Sequence, residues 1–344
     1  MKPTRIGLDL AKDVFEVFAV DANDHPVLKK RLTRNKLLAF FAQLAPCMVA
    51  MEACASAHHW TRELRTLGHE VRLIDPRFVI PYRRGGKNDP NDARAICEAA
   101  GRPDMRFVPV KSLEQQAVLS VHRARSLLVE QRTALVNQLR GLLGEFGIAI
   151  ARGHAAVRRR VPEVLENAHH NLPDLARETF ADLYVRLGEL DHYLAQYDRR
   201  IRALATSSPQ ARRLMQVPGF GPLSATALLA TVGQGRDFHN GRQFSAWLGL
   251  TPRQYSSAGK TRRGRITKRG DRYLRTLLVH GARSIVARAA GRTEPTNRWV
   301  NAVRERRGFN KATVALAAKN ARVVWAMLAH DQDFRAPPLA NSGA

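Results

Sequence analysis

Acid is what this 344-residue chain is short of: 30 Asp and Glu stand against 56 Lys and Arg, a net charge of +26. Such an imbalance points to a polyanionic partner, nucleic acid before membrane. Cysteine is scarce as well. Cys47, Cys54 and Cys97 show no Cys-x-x-Cys spacing and suit a reducing compartment. No run of 18 apolar residues and no secretion signal is present, so a membrane partner is not expected and a cytosolic location is. What is there is sufficient for a core. At 44% hydrophobic the chain is no disordered basic tail, and its length leaves room for two or three domains.

The charge is unevenly spread. Residues 1–110 carry 18 Lys and Arg against 13 acids, residues 111–205 carry 14 against 11, and residues 206–344 carry 24 against 6. The polyanion is therefore expected to meet mainly the last third. Strand patterns are predicted near 5–10, 14–21, 26–32, 47–52 and 70–75, and helices near 35–45, 56–67 and 90–100. Strands that open as a hairpin and continue as strand–helix–strand units predict a mixed sheet with helices packed on it, an α/β domain over 1–110.

Residues 111–205 change period. Apolar residues from Leu113 to Phe146 mostly follow three-four spacing, and Leu183, Leu187, Leu190, Leu194, Tyr197, Ile201 and Leu204 repeat four-three without a break. Two long helices joined by a basic, irregular stretch from Arg152 to Pro173 predict a helical arm with a coiled-coil seam. Such a seam serves either a self-contained antiparallel hairpin or a contact between subunits, and the second is the expectation.

The organising stretch is Lys87-Asn88-Asp89-Pro90-Asn91-Asp92-Ala93-Arg94, which reads as a helix start. Asp89 and Asp92 share one face of its first turn and repel unless a positive charge lies between them. In isolation they read as a cap and a dipole partner. Two more acids change that. Asp9 sits in the apolar run Arg5-Ile6-Gly7-Leu8-Asp9-Leu10, and Glu52 ends the run Pro46 to Glu52. A carboxylate in or at the end of a buried strand is costly unless it is paired or binds metal. Asp9, Glu52, Asp89 and Asp92 are therefore candidate ligands of one Mg²⁺, a hard ion that prefers carboxylate oxygens. The basic run Arg83 to Lys87 ahead of them is expected to be a loop.

In the last third, Val217-Pro218-Gly219-Phe220-Gly221-Pro222 predicts a helix–hairpin–helix turn in which Gly219 and Gly221 let backbone N–H groups approach a phosphate. Beyond it, eight basic residues fall between Lys260 and Arg275 with a single acid among them. Of these, Lys260, Arg262, Arg263, Arg265, Lys268, Arg269 and Arg272 are candidate phosphate contacts. The pair Ser256-Ser257 precedes them, so a serine hydroxyl is placed among groups that neutralise a phosphodiester, although serines alone read as loop hydrogen-bonders. The last helix, Lys311 to Leu328, is expected to be a packing element, and residues 336–344 a tail.

These motifs carry a resemblance. The chain resembles the insertion-sequence transposases of family one hundred and ten, which also resemble the Piv DNA invertase. The match runs through Ile6-Gly7-Leu8-Asp9-Leu10-Ala11-Lys12, Met51-Glu52-Ala53-Cys54, Lys87 to Arg94, Val217 to Gly221, and Tyr255-Ser256-Ser257 with its basic continuation. The resemblance implies a RuvC-like (RNase H-like) α/β domain over 1–110, an α-helical coiled-coil insert over 111–205, and a mainly α transposase domain with a helix–hairpin–helix over 206–335. It places the acidic DEDD site at Asp9, Glu52, Asp89 and Asp92, and a nucleophilic serine in the Ser256-Ser257 pair, with Ser256 preferred. It also implies donor and target DNA, a structured bridge RNA and a homo-oligomer, dimer or tetramer, as partners in a bacterial cytoplasm, near the nucleoid. Ala258 and Ala55 stand where the family pattern commonly has glycine.

Chemically, a serine attacking a phosphodiester leaves a phosphoserine bond that conserves the ester for rejoining. The expected activity is thus Mg²⁺-dependent strand cleavage and exchange, with a non-catalytic DNA- or RNA-binding protein and a RuvC-like hydrolytic nuclease as rivals. A sugar-kinase or actin-like ATPase is disfavoured, because Asp9-Leu10-Ala11-Lys12-Asp13 lacks the glycine and hydroxyl residues of a phosphate loop.

Overall fold

The computed structural model describes residues 2–85, 89–167, 170–257 and 260–335, with Ser257, Lys260 and Thr261 by backbone alone. The expected roles of Gly86 to Asn88, the Ala258 departure and the 336–344 tail lie outside the described residues. The chain forms two compact units, Met1–Ser112 and Leu113–Ala344.

The first unit is built on one sheet. Strands β1 (Arg5–Leu10), β2 (Val14–Val20), β3 (Pro26–Thr33), β4 (Met48–Glu52), β5 (Glu70–Ile74) and the short β6 (Phe107–Val108) lie in the order β3-β2-β1-β4-β5-β6. β1 to β3 form an antiparallel meander, whereas β4 runs parallel to β1 and β5 parallel to β4. Period-two alternation on β1 and β2 sends Ile6, Leu8, Phe15 and Val17 to one face. There they pack with Leu37 and Phe41 of α1 (Leu37–Ala42) and with Trp60 and Leu64 of α2 (Ala57–Thr66). Each fully buried side chain of this size contributes about 1.5–3 kcal/mol, and the edge-on Phe15–Trp60 pair, with centroids 5.3 Å apart, adds to it.

The other face receives α4 (Asp89–Ala100), whose Ala95, Ile96 and Ala99 pack on Ala50 and Ile74. Between β5 and α4 lies the single-turn helix α3 (Pro76–Val79), capped by Asp75. Gly7 lets α4 lie directly on β1: a Cβ there would stand 2.1 Å from the Ala93 carbonyl oxygen and 2.5 Å from the Cys97 nitrogen. No side chain fits between strand and helix at that point.

The second unit begins with two long helices, α5 (Leu113–Glu145) and α7 (Asp174–Ser207). They run antiparallel: Arg125 pairs with Asp198 at 2.6 Å and Arg132 with Asp191 at 3.3 Å, so seven residues forward on one helix is seven back on the other. Leu187 and Leu190 of the expected seam pack with Leu135, Val136, Leu139 and Leu143 of α5, and Leu194 and Ile201 are buried as well. The leucines expected to meet a second copy are thus covered within their own chain. A second correction concerns Arg152 to Pro173. That stretch is not irregular but contains α6 (His154–Glu166), because Val157, Val161 and Val164 share one face and are fully buried against α5 and α7. Pro162 inside α6 cannot donate to the Arg158 carbonyl, and the Tyr184 hydroxyl donates to it instead, at 3.0 Å.

Helices α8 (Pro209–Leu214), α9 (Pro222–Val232), α10 (Gly241–Trp247), α11 (Arg272–Ala287), α12 (Pro295–Arg307) and α13 (Phe309–Ala329) share one core around Leu228, Phe244, Leu278, Val300 and Leu316. The buried His122 of α5 ties into it, its ring nitrogens 2.9 Å from the hydroxyls of Tyr273 and Thr226. Strands β7 (Pro252–Ser257) and β8 (Lys260–Ile266) form a separate two-stranded antiparallel ribbon. Among the described residues no helix is long and apolar enough to cross a membrane.

Candidate active site and nucleic-acid interface

Asp9 and Glu52 occupy equivalent places at the carboxyl ends of adjacent parallel strands, since Leu8 and Met51, the residues before them, are register partners. The close seat of α4 on Gly7 brings in the helix start that carries Asp89 and Asp92. Burial, then the charges of Asp92, Glu52 and Asp89, push the Asp9 carboxyl up from its ordinary 3.8 to about 6. The four expected acids are therefore electrostatic neighbours, with half-buried Asp9 at their focus. Asp92 is buried and ion-paired to the Arg83 guanidinium, while Asp89 is exposed.

Oxygen-only donors under mutual repulsion fit a hard divalent cation in kind. They are gathered but not closed: among the described residues no three His, Cys, Asp or Glu side chains stand together tightly enough to hold a metal ion. Arg83 supplies the local positive charge instead. Sequence reasoning placed Arg83 in a basic loop and missed this pairing. It also missed Glu16, a buried acid directly across from Asp9 on β2 and balanced by Arg31 at 3.4 Å. The period-two pattern of β2, which puts Glu16 on the α4 face with Phe18, was the available signal.

In the second unit, Ser256 lies on the exposed ribbon opposite Thr261, and its hydroxyl accepts a hydrogen bond from the Gln254 amide at 2.8 Å. Ser257 pairs with Lys260 through the backbone register. The base of the ribbon is held by Thr267 N–H donating to the Thr251 carbonyl at 2.9 Å and Lys268 N–H to that of Gly249 at 3.2 Å. Arg262, Arg263, Arg265, Lys268, Arg269 and Arg272 are all exposed, and none forms an ion pair among the described residues. Arg262 stands across from Tyr255 and Arg263 from Gln254, so cations occupy both faces of the ribbon. Arg275, by contrast, is held inside by the Leu248 carbonyl at 3.0 Å.

The turn from Val217 to Pro222 divides its two glycines. Gly219, at φ +89°, was expected to make room for a phosphate. Its backbone meets that of α11, and a Cβ on it would lie 2.8 Å from the Gly281 carbonyl. Gly221 precedes α9 with open space where its Cβ would be, leaving that helix start without a side-chain cap. Asn320 steadies the turn by donating to the Pro218 carbonyl at 2.7 Å.

Residues 6–148 match a family described as "Transposase", of the DEDD type, and residues 211–296 match the "Transposase IS116/IS110/IS902 family". A "Probable family 20 transposase" of Pseudomonas aeruginosa is 52% identical, over 97% of this chain and 99% of its own. The "Transposase for insertion sequence element IS1111A" of Coxiella burnetii is 40% identical, over 97% and 92%. That for insertion sequence element IS1328 of Yersinia enterocolitica is 39% identical, over 94% and 96%. The chain belongs to the IS110 family of transposases, enzymes that cut and rejoin DNA.

Proposed function

We propose that the protein transposes DNA by Mg²⁺-dependent strand cleavage and exchange, with Asp9, Glu52, Asp89 and Asp92 as metal ligands and Ser256 as nucleophile. The observation that carries this reading is the gathering of three like charges around Asp9. Burial and repulsion both disfavour the charged Asp9 carboxyl, and a divalent cation bound among these acids would relieve them. The bound ion would polarise the phosphate and favour ionisation of the nucleophile. Asp92 would exchange Arg83 for the ion, and Arg83 would then be free for a phosphate oxygen.

The first unit is read as RuvC-like on its strand order, β3-β2-β1-β4-β5 with β1 and β4 parallel. The α8–turn–α9 segment is read as a helix–hairpin–helix, with the α9 start at Gly221 as its phosphate-facing end. Ser256 would attack phosphorus and form a phosphoserine while the cleaved strand departs with its hydroxyl. Attack by that hydroxyl on the phosphoserine reverses the step and conserves the ester. The ribbon arginines and lysines would neutralise phosphates around it. A structured bridge RNA is proposed as partner from the family resemblance alone. Self-association of the helical arm would use its outward face, where Leu175, Val185 and Tyr193 are exposed.

The test is a covalent adduct. With rejoining blocked, wild type is expected to carry labelled DNA through a denaturing gel, Ser256→Ala to carry none, and Asp92→Asn to neither cleave nor lose DNA affinity. Free ends without adduct would make the protein a hydrolytic nuclease. Adduct lost only in Ser257→Ala would exchange the two serines.

A further inference from the structure

The side of α4 turned away from Asp89 and Asp92 borders a cavity of about 270 Å³ in the first unit. Asp92 and Arg94 are two residues apart on the helix, hence on different faces. Arg94 lines the cavity with Arg5, Arg84 and Arg102, four guanidinium groups against the two carboxylates of Asp24 and Glu98. The carboxylates do not balance them. Arg5 is taken up by Asp24 and by the Cys97 carbonyl, to which its Nε donates at 2.9 Å. Glu98 is shared, 3.4 Å from Arg84 and 3.0 Å from Arg102. Arg94 has no ion pair among the described residues and rests on the Phe18 ring, 5.8 Å from its centroid.

We propose that this cavity seats a backbone phosphate of a bound nucleic-acid strand, separate from the acidic site. Guanidinium forks match phosphate oxygens in a bidentate manner, and a partly enclosed excess of two positive charges strengthens that attraction. Phe18 offers an apolar wall for the adjoining sugar. A cavity of this volume leaves room for more than a bare ion. The seat is shaped by its glycine as well. A Cβ on Gly101 would lie 2.5–2.8 Å from the Arg5 guanidinium, so any larger residue pushes Arg5 out of place. The proposal uses only the family's handling of nucleic acid and not the metal or serine chemistry.

The experiment is a fluorescence-anisotropy titration of the full chain with one labelled 20-mer sequence, prepared as single-stranded DNA, duplex DNA and RNA, across about 50–200 mM salt. Arg94→Gln combined with Arg102→Gln should weaken binding and flatten the log–log salt slope by about 0.7–0.9, one phosphate contact. The flattened probe identifies whether the strand is DNA or RNA. Glu98→Gln should tighten binding, because it frees two arginines, and this variant stands if the double variant fails to fold. Arg186→Gln, whose exposed guanidinium pairs with Glu189 on α7, should leave the slope as it is. Unchanged slopes for a folded double variant, or unchanged affinity in Glu98→Gln, overturn the proposal. Loss of cleavage in Asp92→Asn with an unchanged slope addresses the acidic site alone, so the two readings fail separately.

Discussion

Gly7→Ala is the most direct test of how the acids are assembled. The added Cβ would stand 2.1 Å from the Ala93 carbonyl oxygen, against about 3.4 Å for ordinary contact, so α4 must retreat by about 1.3 Å. Overpacking of this kind costs about 1–3 kcal/mol, and the retreat carries Asp89 and Asp92 away from Asp9. A misplacement near 1 Å at reacting groups costs on the order of 10²-fold in rate. The expected outcome is a lower melting temperature with cleavage reduced about a hundredfold at saturating Mg²⁺ and DNA, while DNA affinity holds. Gly141→Ala on α5, where a Cβ meets nothing within 4 Å, is the matched control and should be neutral or stabilising. Single-turnover cleavage read beside thermal unfolding separates the two effects. Wild-type cleavage in a Gly7→Ala protein would show that the close seat of α4 does not position the acids.

Two further outcomes follow from the charges. Asp9→Asn removes the focus of repulsion, and a carboxyl raised from 3.8 to about 6 weighs against the folded protein at neutral pH; the variant should therefore melt higher than wild type in chelator and, on the proposed metal site, gain less from added Mg²⁺ than wild type does, and a lower melting point in chelator would refute the repulsion. Burial, then the Arg125 charge, holds His122 near 4 against an ordinary 6.5, so the unfolded chain gains the proton first, and stability present above 6.5 is lost as pH falls toward 4, by about 2 kcal/mol at pH 5. Urea unfolding from pH 4.5 to 7.5 should show this loss in wild type and not in His122→Gln; parallel curves would assign the acid sensitivity elsewhere.

Much of the first unit could be read in the chain because its signals are local. Strand alternation over 5–10 and 14–20, a helix beginning at Asp89, and acids placed at strand ends all follow from neighbours two to four residues apart. The four-three repeat of α7 is equally local, but its partner is not. Period says that Leu187 and Leu190 need covering and does not say by what; α5 and α6 of the same chain cover them. Pro162 weakens the helical signal of α6, and burial of three valines together with the Tyr184 hydrogen bond outweighs that.

The glycines show the same division. Gly219 is legible as a turn glycine in Pro-Gly-Phe-Gly, but its backbone neighbour Gly281, 62 positions later, is not. Gly7 looks like an ordinary strand residue until α4 is laid on top. Asp9 and Glu52 are legible as acids in apolar runs, and Asp89 and Asp92 as like charges on one face of a helix start. Their mutual repulsion at Asp9, the guanidinium of Arg83 on Asp92 and the arginine-lined cavity behind α4 depend on distances between segments. Sequence determined which groups need partners, because propensity and period act over a few residues. Tertiary structure decided which partners they have, because packing and electrostatics act through space between residues far apart in the chain.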